Sequence, residues 1–372
     1  FDPNRKGVQR LQIPSYTIEH DFSDGFPALT TKKLHFKSVV GELIWFLRGD
    51  TNIKYLVDNN INIWNQDAYN HYLKMVGDRH FAHSQLDWLN LIKNRNITNL
   101  GFEGVGSPYA EGPLGRVYGA QWRKWKGKEK SNGVDQFGIP WPHTITYIDQ
   151  IANLIKGLKE NPMGTKHIVT AWNPAELDEM ALPPCHWAFE ILVEPMSPIE
   201  IVDTAKKEGL WEDGSGFDGH LFEENSKGQL FHEFIKEKQE KFKEYKFTLK
   251  WHQRSVDTFL GLPFNVASYA LLAYIIGKLT NMIPKGVIGD LSNVHIYEPH
   301  LEAALTQLDR DTDKYSGCNL LMLDEFHYMT DVDLVGELPL NKIINDLRMD
   351  MFTLGDYESY PSIKAKMIPY IK

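Results

Sequence analysis

The sequence predicts an α+β fold, a sheet core packed with helices and carrying two peripheral insertions. Three observations predict it. Short segments alternate apolar and polar residues, as half-buried strands do. Longer segments space their apolar residues at helical intervals. The two kinds are interleaved along the chain, with no tandem repeat and no low-complexity tract.

Taken in order, Leu11 to His20 reads as a strand, with Leu11, Ile13, Tyr16 and Ile18 as its apolar positions. "SDGFP", Ser23 to Pro27, is a turn signal. Phe36 to Arg48 has helical spacing, and Glu42 is its one acid. Thr51 to Asn59 reads as a second helix. From about Gln66 to Glu111 the pattern weakens and ends in the glycine-rich "GFEGVGSPYAEGP", so about 66–111 is expected to be the first insertion. Tyr147 to Leu158 reads as an amphipathic helix. His167 to Asn173 and His186 to Val193 read as buried strands. Pro195 to Lys246 opens rich in proline and acid and closes in "FHEFIKEKQEKFKEYKF", a charged amphipathic helix. It is expected to be a second, surface insertion at about 195–246. Phe247 to His252 alternates again, and Asn265 to Leu279 is an apolar helix.

The 372 residues suit one large domain, 1–372, with a substantial core. A formal charge of −9 argues against a surface that coats nucleic acid. No apolar run reads as long enough to span a membrane, and the first residues carry no signal-peptide pattern. Two cysteines, Cys185 and Cys318, cannot build a disulfide framework. A cytoplasmic setting, including the cytoplasm of a phage-infected host, is expected.

Cys185 sits in "ALPPCHWAFEILV". A free cysteine is most often a small buried hydrophobe. Here Pro183 and Pro184 stiffen the approach, and a thiol held this way is aimed. A thiolate nucleophile needs a nearby cation, and Arg254 in "QRSVDTFLGLPFN" is the candidate. Arg254 and Ser255 form a plausible anion seat, with a salt bridge and turn as the plain alternative. Asn265 is either an N-cap or an amide that pairs with an amide-like ligand. Glu42 on an apolar helix is either paired or pushed up in pKa, and the second case makes a proton-transfer group. "HIYEPH" (His295 to His300) and "HFAH" (His80 to His83) suggest metal clusters. Neither joins a cysteine or carboxylate array, so no metal is expected.

Several stretches, in order, resemble the thymidylate synthase family. They are "DGFPALTTKKLHFKSVVGELIWFLRGDTNIKYL", "NIW", "GRVYGAQWR", "IVTAWNPAELDEMALPPCH", "QRSVDTFLGLPFNVASYALL", "HIYEPH" and "YPSIKAKM". The insertions and much of 311–350 fall outside the likeness. The resemblance implies a twisted mixed β-sheet packed against helices, a homodimer joined across its sheets, and one-carbon transfer from 5,10-methylenetetrahydrofolate to C5 of a pyrimidine nucleotide. It implies that Cys185 attacks C6 and that Glu42 manages proton transfers. Tyr118, His186, Arg254 and Asn265 would complete the catalytic set. Arg5, Lys166, Gln253, Arg254, Ser255, His295 and Tyr297 would hold the nucleotide. Lys32, Ile63, Trp64, Asp257, Gly261 and Phe264 would line the folate. Asn265 matches the N3–H donor and O4 acceptor of uracil, where family members acting on dCMP carry Asp. The implied substrate is therefore dUMP.

The chain also departs from the family pattern. Thr165 and Lys166 stand where the family has an arginine pair that reaches the partner subunit. Asn65 and Asp67 stand for an Asp and a second Trp. Asn293 replaces an Asp, Glu190 a Gln, and the terminal "IPYIK" extends past the usual end. Hydride delivered to the methylene on C5 gives a methyl group, and water gives a hydroxymethyl group. Asp67 and the altered terminus favour water, so the sequence reading is a dUMP hydroxymethylase. Conventional thymidylate synthase is the close alternative. A dCMP hydroxymethylase, an inactive nucleotide-binding relative and a cysteine hydrolase are weaker ones.

Overall fold

A computed structural model describes residues 2–3, 8–77, 84–94, 112–130, 133, 144–209, 242–330 and 340–368. Along the chain the strands are β1 (Asp2–Pro3), β2 (Gln9–Asp21), β3 (Trp125–Lys130), β4 (Thr144–Ile148), β5 (Ile168–Thr170), β6 (His186–Pro195), β7 (Tyr245–Gln253), β8 (Val256–Asp257), β9 (Ile283–Tyr297), β10 (Asn319–Met322) and β11 (Phe352–Gly355). The α-helices are α1 (Phe36–Arg48), α2 (Lys54–Asp58), α3 (Asn65–Val76), α4 (Gln85–Asn94), α5 (Tyr118–Arg123), α6 (Gln150–Glu160), α7 (Pro198–Lys207) and α8 (Gly261–Thr280), followed by short ones at Leu301–Leu308, Asp324–Thr330 and Leu340–Asp346.

The main sheet runs in the order β1-β2-β9-β7-β6-β5, with β8 paired to β9. It is mixed. β7 and β8 lie parallel to β9, and the other neighbours are antiparallel. A parallel pair needs a crossover, and α8 supplies it between β7 and β9. This helix is apolar on nearly every side, so it belongs to the core. It packs on β9, β7, α1 and α6. Its 20 residues, with mean hydropathy 1.3, exceed the expectation that no apolar run reaches spanning length. Most of that surface is buried inside the fold.

One side of the sheet meets α1, α6 and α8 through Phe189, Ile191, Phe247, Leu249, Trp251, Val287 and Leu291. Strand periodicity sends the alternate residues outward. Leu192, Glu190, Lys250, His252 and Asp290 therefore share the outer side. The register slips between His186 and Ala188, which places a bulge at Trp187. A bulge re-aims side chains and breaks alternation. Ala188, opposite His252, therefore follows Trp187 on the outer side, while Phe189, opposite Trp251, turns into the core.

Several expectations need correction. Within 66–111, where the sequence pattern weakens, lie most of α3 and all of α4. Their polar composition hid an apolar stripe in which Tyr69 and Tyr72 pack on Trp88. The second helix shrinks to Lys54–Asp58. The helix expected from Tyr147 starts at Gln150, because Asp149 caps it by accepting from the Ala152 N–H. Tyr147 and Ile148 belong to β4 instead. The strand expected over His167 to Asn173 is the short edge strand β5, with Ile168 exposed. The charged helix expected to run to Lys246 cannot do so, since β7 begins at Tyr245. A helix unread in the sequence, α7, begins at a capping box formed by Ser197 and Glu200. The rest of the expected charged helix, the glycine-rich loop 101–111, His80 to His83, Arg5 and the last four residues lie outside the described residues.

Candidate active site

Cys185 stands immediately before β6, partly exposed, with Pro184 buried behind it. Its backbone is held on both sides. The Cys185 N–H donates to the Tyr118 hydroxyl at 2.8 Å. The Arg254 N–H donates to the Cys185 carbonyl at 2.8 Å. Arg254 also uses its side chain on this loop. Its Nε donates to the Pro184 carbonyl at 2.8 Å and an Nη to the Pro183 carbonyl at 2.9 Å. The prolines bring no N–H of their own, but their carbonyls give the guanidinium two fixed acceptors. Trp172 lies 5.3 Å beneath the guanidinium. The remaining guanidinium donors are not committed among the described residues.

Glu42 reaches the same region from the middle of α1. Trp64 Nε1 donates to its Oε1 at 2.7 Å. Burial raises its carboxyl pKa to about 7, against the opposing pull of that hydrogen bond. Trp64 packs edge-on against Tyr118 at 5.9 Å. Tyr118 therefore bridges the partner of the carboxyl and the backbone of the thiol. Burial pushes the Tyr118 hydroxyl well up, and the charges of Cys185 and Glu42 add to it. This phenol stays protonated.

His186 is buried, stacks beside Tyr118 at 4.4 Å, and its Nδ1 shares a 2.8 Å hydrogen bond with the Tyr269 hydroxyl. Burial drives its pKa down to about 3. A neutral imidazole cannot serve as the cation of a thiolate–imidazolium pair, which removes the support for the cysteine hydrolase alternative.

Asn265 lies in the second turn of α8, so the N-cap alternative falls. The helix begins four residues earlier, and Asp257 Oδ1 accepts from the N–H groups of Phe259 and Leu260 ahead of it. Asn265 Oδ1 accepts from Gln253 Nε2 at 3.1 Å. Gln253 Nε2 also donates to the Ser255 carbonyl at 3.1 Å, and its Oε1 accepts from Trp251 Nε1 at 3.2 Å. Gly261 and Phe264 share the first turns of this helix with Asn265.

Asp257 pairs in register with His295, and Tyr297 lies just beyond. His295 Nδ1 is 2.7 Å from the Asn293 carbonyl. Burial, with Asp257 adding to it, raises Tyr297 to about 12. Asn293 has φ of 51°, a conformation asparagine tolerates better than most residues. Its amide donates to the Arg254 carbonyl at 2.8 Å and accepts from Gln12 at 3.0 Å. Lys32 is buried over the Phe259 ring and donates to the Phe259 carbonyl. Burial lowers its pKa to about 8, while Asp257 opposes the shift. Ile63 and Trp64 pack against the core beside α1.

Lys166 does not join this cluster. It is exposed just ahead of β5. Glu190 lies on the outer side of the sheet, where its Oε1 is 3.2 Å from His252, which also contacts Asp290 at 3.1 Å. The "GRVYGAQWR" and "IVTAWNPAELDEMALPPCH" stretches meet at buried Glu176. Arg116 donates to it at 2.9 Å and Gln121 at 2.7 Å. Sequence reading missed Tyr269, Trp172 and Trp251. Tyr269 follows Asn265 by four residues, one helical turn along the same face, and that spacing was a usable signal.

The thymidylate synthase family model matches residues 1–206 and 229–369. The thymidylate synthase of Mycoplasma pneumoniae is 32% identical over 370 residues, covering 99% of this chain and 94% of that protein. The probable thymidylate synthase of Escherichia phage T5 is 34% identical over 364 residues, covering 98% and 92%. The thymidylate synthase of Malacoplasma penetrans is 33% identical over 368 residues, covering 98% and 93%.

Proposed function

The chain belongs to the thymidylate synthase family, whose chemistry is one-carbon transfer to dUMP, and we propose that Cys185, Glu42 and Asn265 carry that reaction here. The observation that carries the assignment is the bridge through Tyr118. It fixes the Cys185 backbone at 2.8 Å and packs against the indole bonded to Glu42. Nucleophile and proton-transfer group thus share one wall.

Cys185 Sγ forms a bond to C6 of dUMP, and the C5–C6 π pair moves to C5, which becomes the nucleophile. 5,10-Methylenetetrahydrofolate supplies the one-carbon unit that C5 takes. Glu42, raised to about 7, can give and accept protons around neutral pH as C5 loses its hydrogen. Loss of that proton lets the bond between the one-carbon unit and the folate nitrogen break, so that tetrahydrofolate leaves and a methylene remains on C5 with Sγ still on C6. Addition of hydride or water to the methylene then returns an electron pair to C5–C6, and the Cys185 thiolate leaves. Asn265 pairs with N3–H and O4 of the base. Arg254 and Ser255 bind the 5′-phosphate, and His295 and Tyr297 the sugar. Lys32, Ile63, Trp64, Asp257, Gly261 and Phe264 line the folate side. A second copy of the chain would bring Lys166 toward the phosphate.

The reading best supported for the last step is hydride transfer, giving dTMP and dihydrofolate. Trp64 is buried and sealed against Trp45 and Tyr118, and water exclusion favours hydride. The Mycoplasma and Malacoplasma relatives, matched along nearly their whole length, bear the name thymidylate synthase. Capture of the methylene by water, giving 5-hydroxymethyl-dUMP, is the second reading. Asp67 at the family's second tryptophan position favours it. So does Asn65 Oδ1, which is buried with no hydrogen-bond partner among the described residues.

Mass identification of the products from dUMP and 5,10-methylenetetrahydrofolate tests both. dTMP with dihydrofolate supports the first reading, and hydroxymethyl-dUMP with tetrahydrofolate the second. Failure to modify dUMP at C5 contradicts both.

A further inference from the structure

We infer that Trp251 is a positioning residue for base discrimination, because its indole N–H fixes which way the Asn265 amide faces. The inference rests on the reading that Asn265 reads the base of dUMP. Trp251 and Gln253 are two residues apart on β7, so both point to the same side of the sheet. An indole N–H can only donate, and a backbone carbonyl can only accept. Gln253 lies between one of each. Its Oε1 must turn to Trp251, and its Nε2 to the Ser255 carbonyl. Gln253 therefore offers Asn265 an N–H and nothing else. Asn265 has to answer with Oδ1, as found at 3.1 Å.

That answer sets the polarity of the reading amide. With Oδ1 turned one way, Nδ2 is turned the other, and a rotated amide would set N–H against N–H. Uracil and cytosine differ in donor and acceptor at this edge. An amide of fixed polarity separates them, and a freely rotating one would not. Oδ1 still has a second lone pair for N3–H of the base.

The indole itself has little freedom. It is fully buried and stacks on Tyr269 at 5.2 Å with planes 10° apart. On its other edge lies Gly289 of β9. A Cβ at that position would come within 2.5 Å and 2.7 Å of two ring carbons of Trp251, so only glycine admits the ring there. The same Tyr269 holds His186 through its hydroxyl. One wedged indole thus supports the base-reading amide on one side and the neighbour of the nucleophile on the other.

The test compares kcat/KM for dUMP and for dCMP in wild type, Trp251→Phe and Gly289→Ala. Trp251→Phe keeps an aromatic ring and deletes the donor. Gly289→Ala keeps every donor and displaces the ring. The wild type is expected to prefer dUMP. Each variant is expected to lose about tenfold of that preference, the scale of one buried hydrogen bond, mainly through a higher KM for dUMP. Melting temperature, read alongside, reports purely structural damage. A wild type that prefers dCMP overturns the underlying reading of Asn265. A dUMP-selective wild type whose selectivity ratio is unchanged in both variants, or in Gly289→Ala alone if Trp251→Phe does not fold, overturns the role of Trp251.

Discussion

Arg254 donates from Nε to the carbonyl of Pro184, at 2.8 Å, one residue before the candidate nucleophile. The guanidinium is therefore more than a charge near a thiol. It clamps the loop that aims Cys185, with a second bond to Pro183. Lysine carries the charge but lacks the planar fork. Arg254→Lys is expected to lower kcat/KM for dUMP by about ten- to a hundredfold, the range for lost charge-assisted hydrogen bonds. Steady-state kinetics checks this. Near-wild-type values would mean that only the charge matters.

Glu42 gives a pH signature. Its pKa is raised from 4.5 to about 7 by burial. The folded state thus holds a proton that the unfolded state has released, and stability falls as pH rises between those values. The ionised form is disfavoured by ~3 kcal/mol at most. Glu42→Gln should melt a few degrees higher than wild type at alkaline pH and nearly equal to it at about pH 4. Its kcat should drop by roughly a hundredfold or more, and a limb near neutral pH should vanish from the pH–rate profile. Equal melting temperatures at alkaline pH would show that the carboxyl is not held in a desolvated site.

His186 is held to about 3 by burial, so its ring is neutral at every working pH. NMR of the labelled imidazole should show no titration from about pH 5 to pH 8. A midpoint near the ordinary histidine value of about 6.5 would restore a cationic partner for the thiol.

Asn265→Asp replaces an amide that donates and accepts with a group suited to the amino edge of cytosine. The dUMP-to-dCMP ratio of kcat/KM should fall by about a hundredfold, following the loss of one pairing and the gain of another. An unchanged ratio would remove Asn265 from base reading.

The outer side of the sheet carries Ile168, Trp187 and Leu192, exposed at 54%, 37% and 41%, around the Glu190–His252–Asp290 contacts. An exposed apolar patch of this kind suits a second copy of the chain. Light scattering at micromolar concentration should give a dimer mass, and Leu192→Asp should shift it toward monomer. A monomeric wild type would contradict that arrangement.

Much of this was legible in the residues. α1 announces itself by helical spacing of its apolar positions, β2 and β6 by short apolar runs rich in strand-forming residues, and α8 by an apolar run too long for a strand. Cys185, Glu42 and Asn265 stand out because each is a reactive or polar residue beside apolar neighbours, and Arg254 because it sits in a polar cluster that leads into an apolar run. What stayed hidden has physical reasons. The stripes of α3 and α4 are built on tyrosine and tryptophan among polar residues, so composition masks them. Tyr245 and Lys246 read as the end of a charged helix, and only their pairing with β6 and β9 shows them to open a strand. Trp251 and Tyr269 look like ordinary core residues. Their roles lie in a polar atom on an apolar ring, and only the partners across the sheet disclose it.

The central claim is that Cys185 activates C5 of dUMP. It is tested most directly by release of tritium from dUMP labelled at C5, in the presence of 5,10-methylenetetrahydrofolate. The assay is blind to whether hydride or water completes the reaction. Wild type should release label in a folate-dependent way, and Cys185→Ala, folded and of unchanged melting temperature, should release none above background. Release by Cys185→Ala at a rate comparable to wild type would contradict the account.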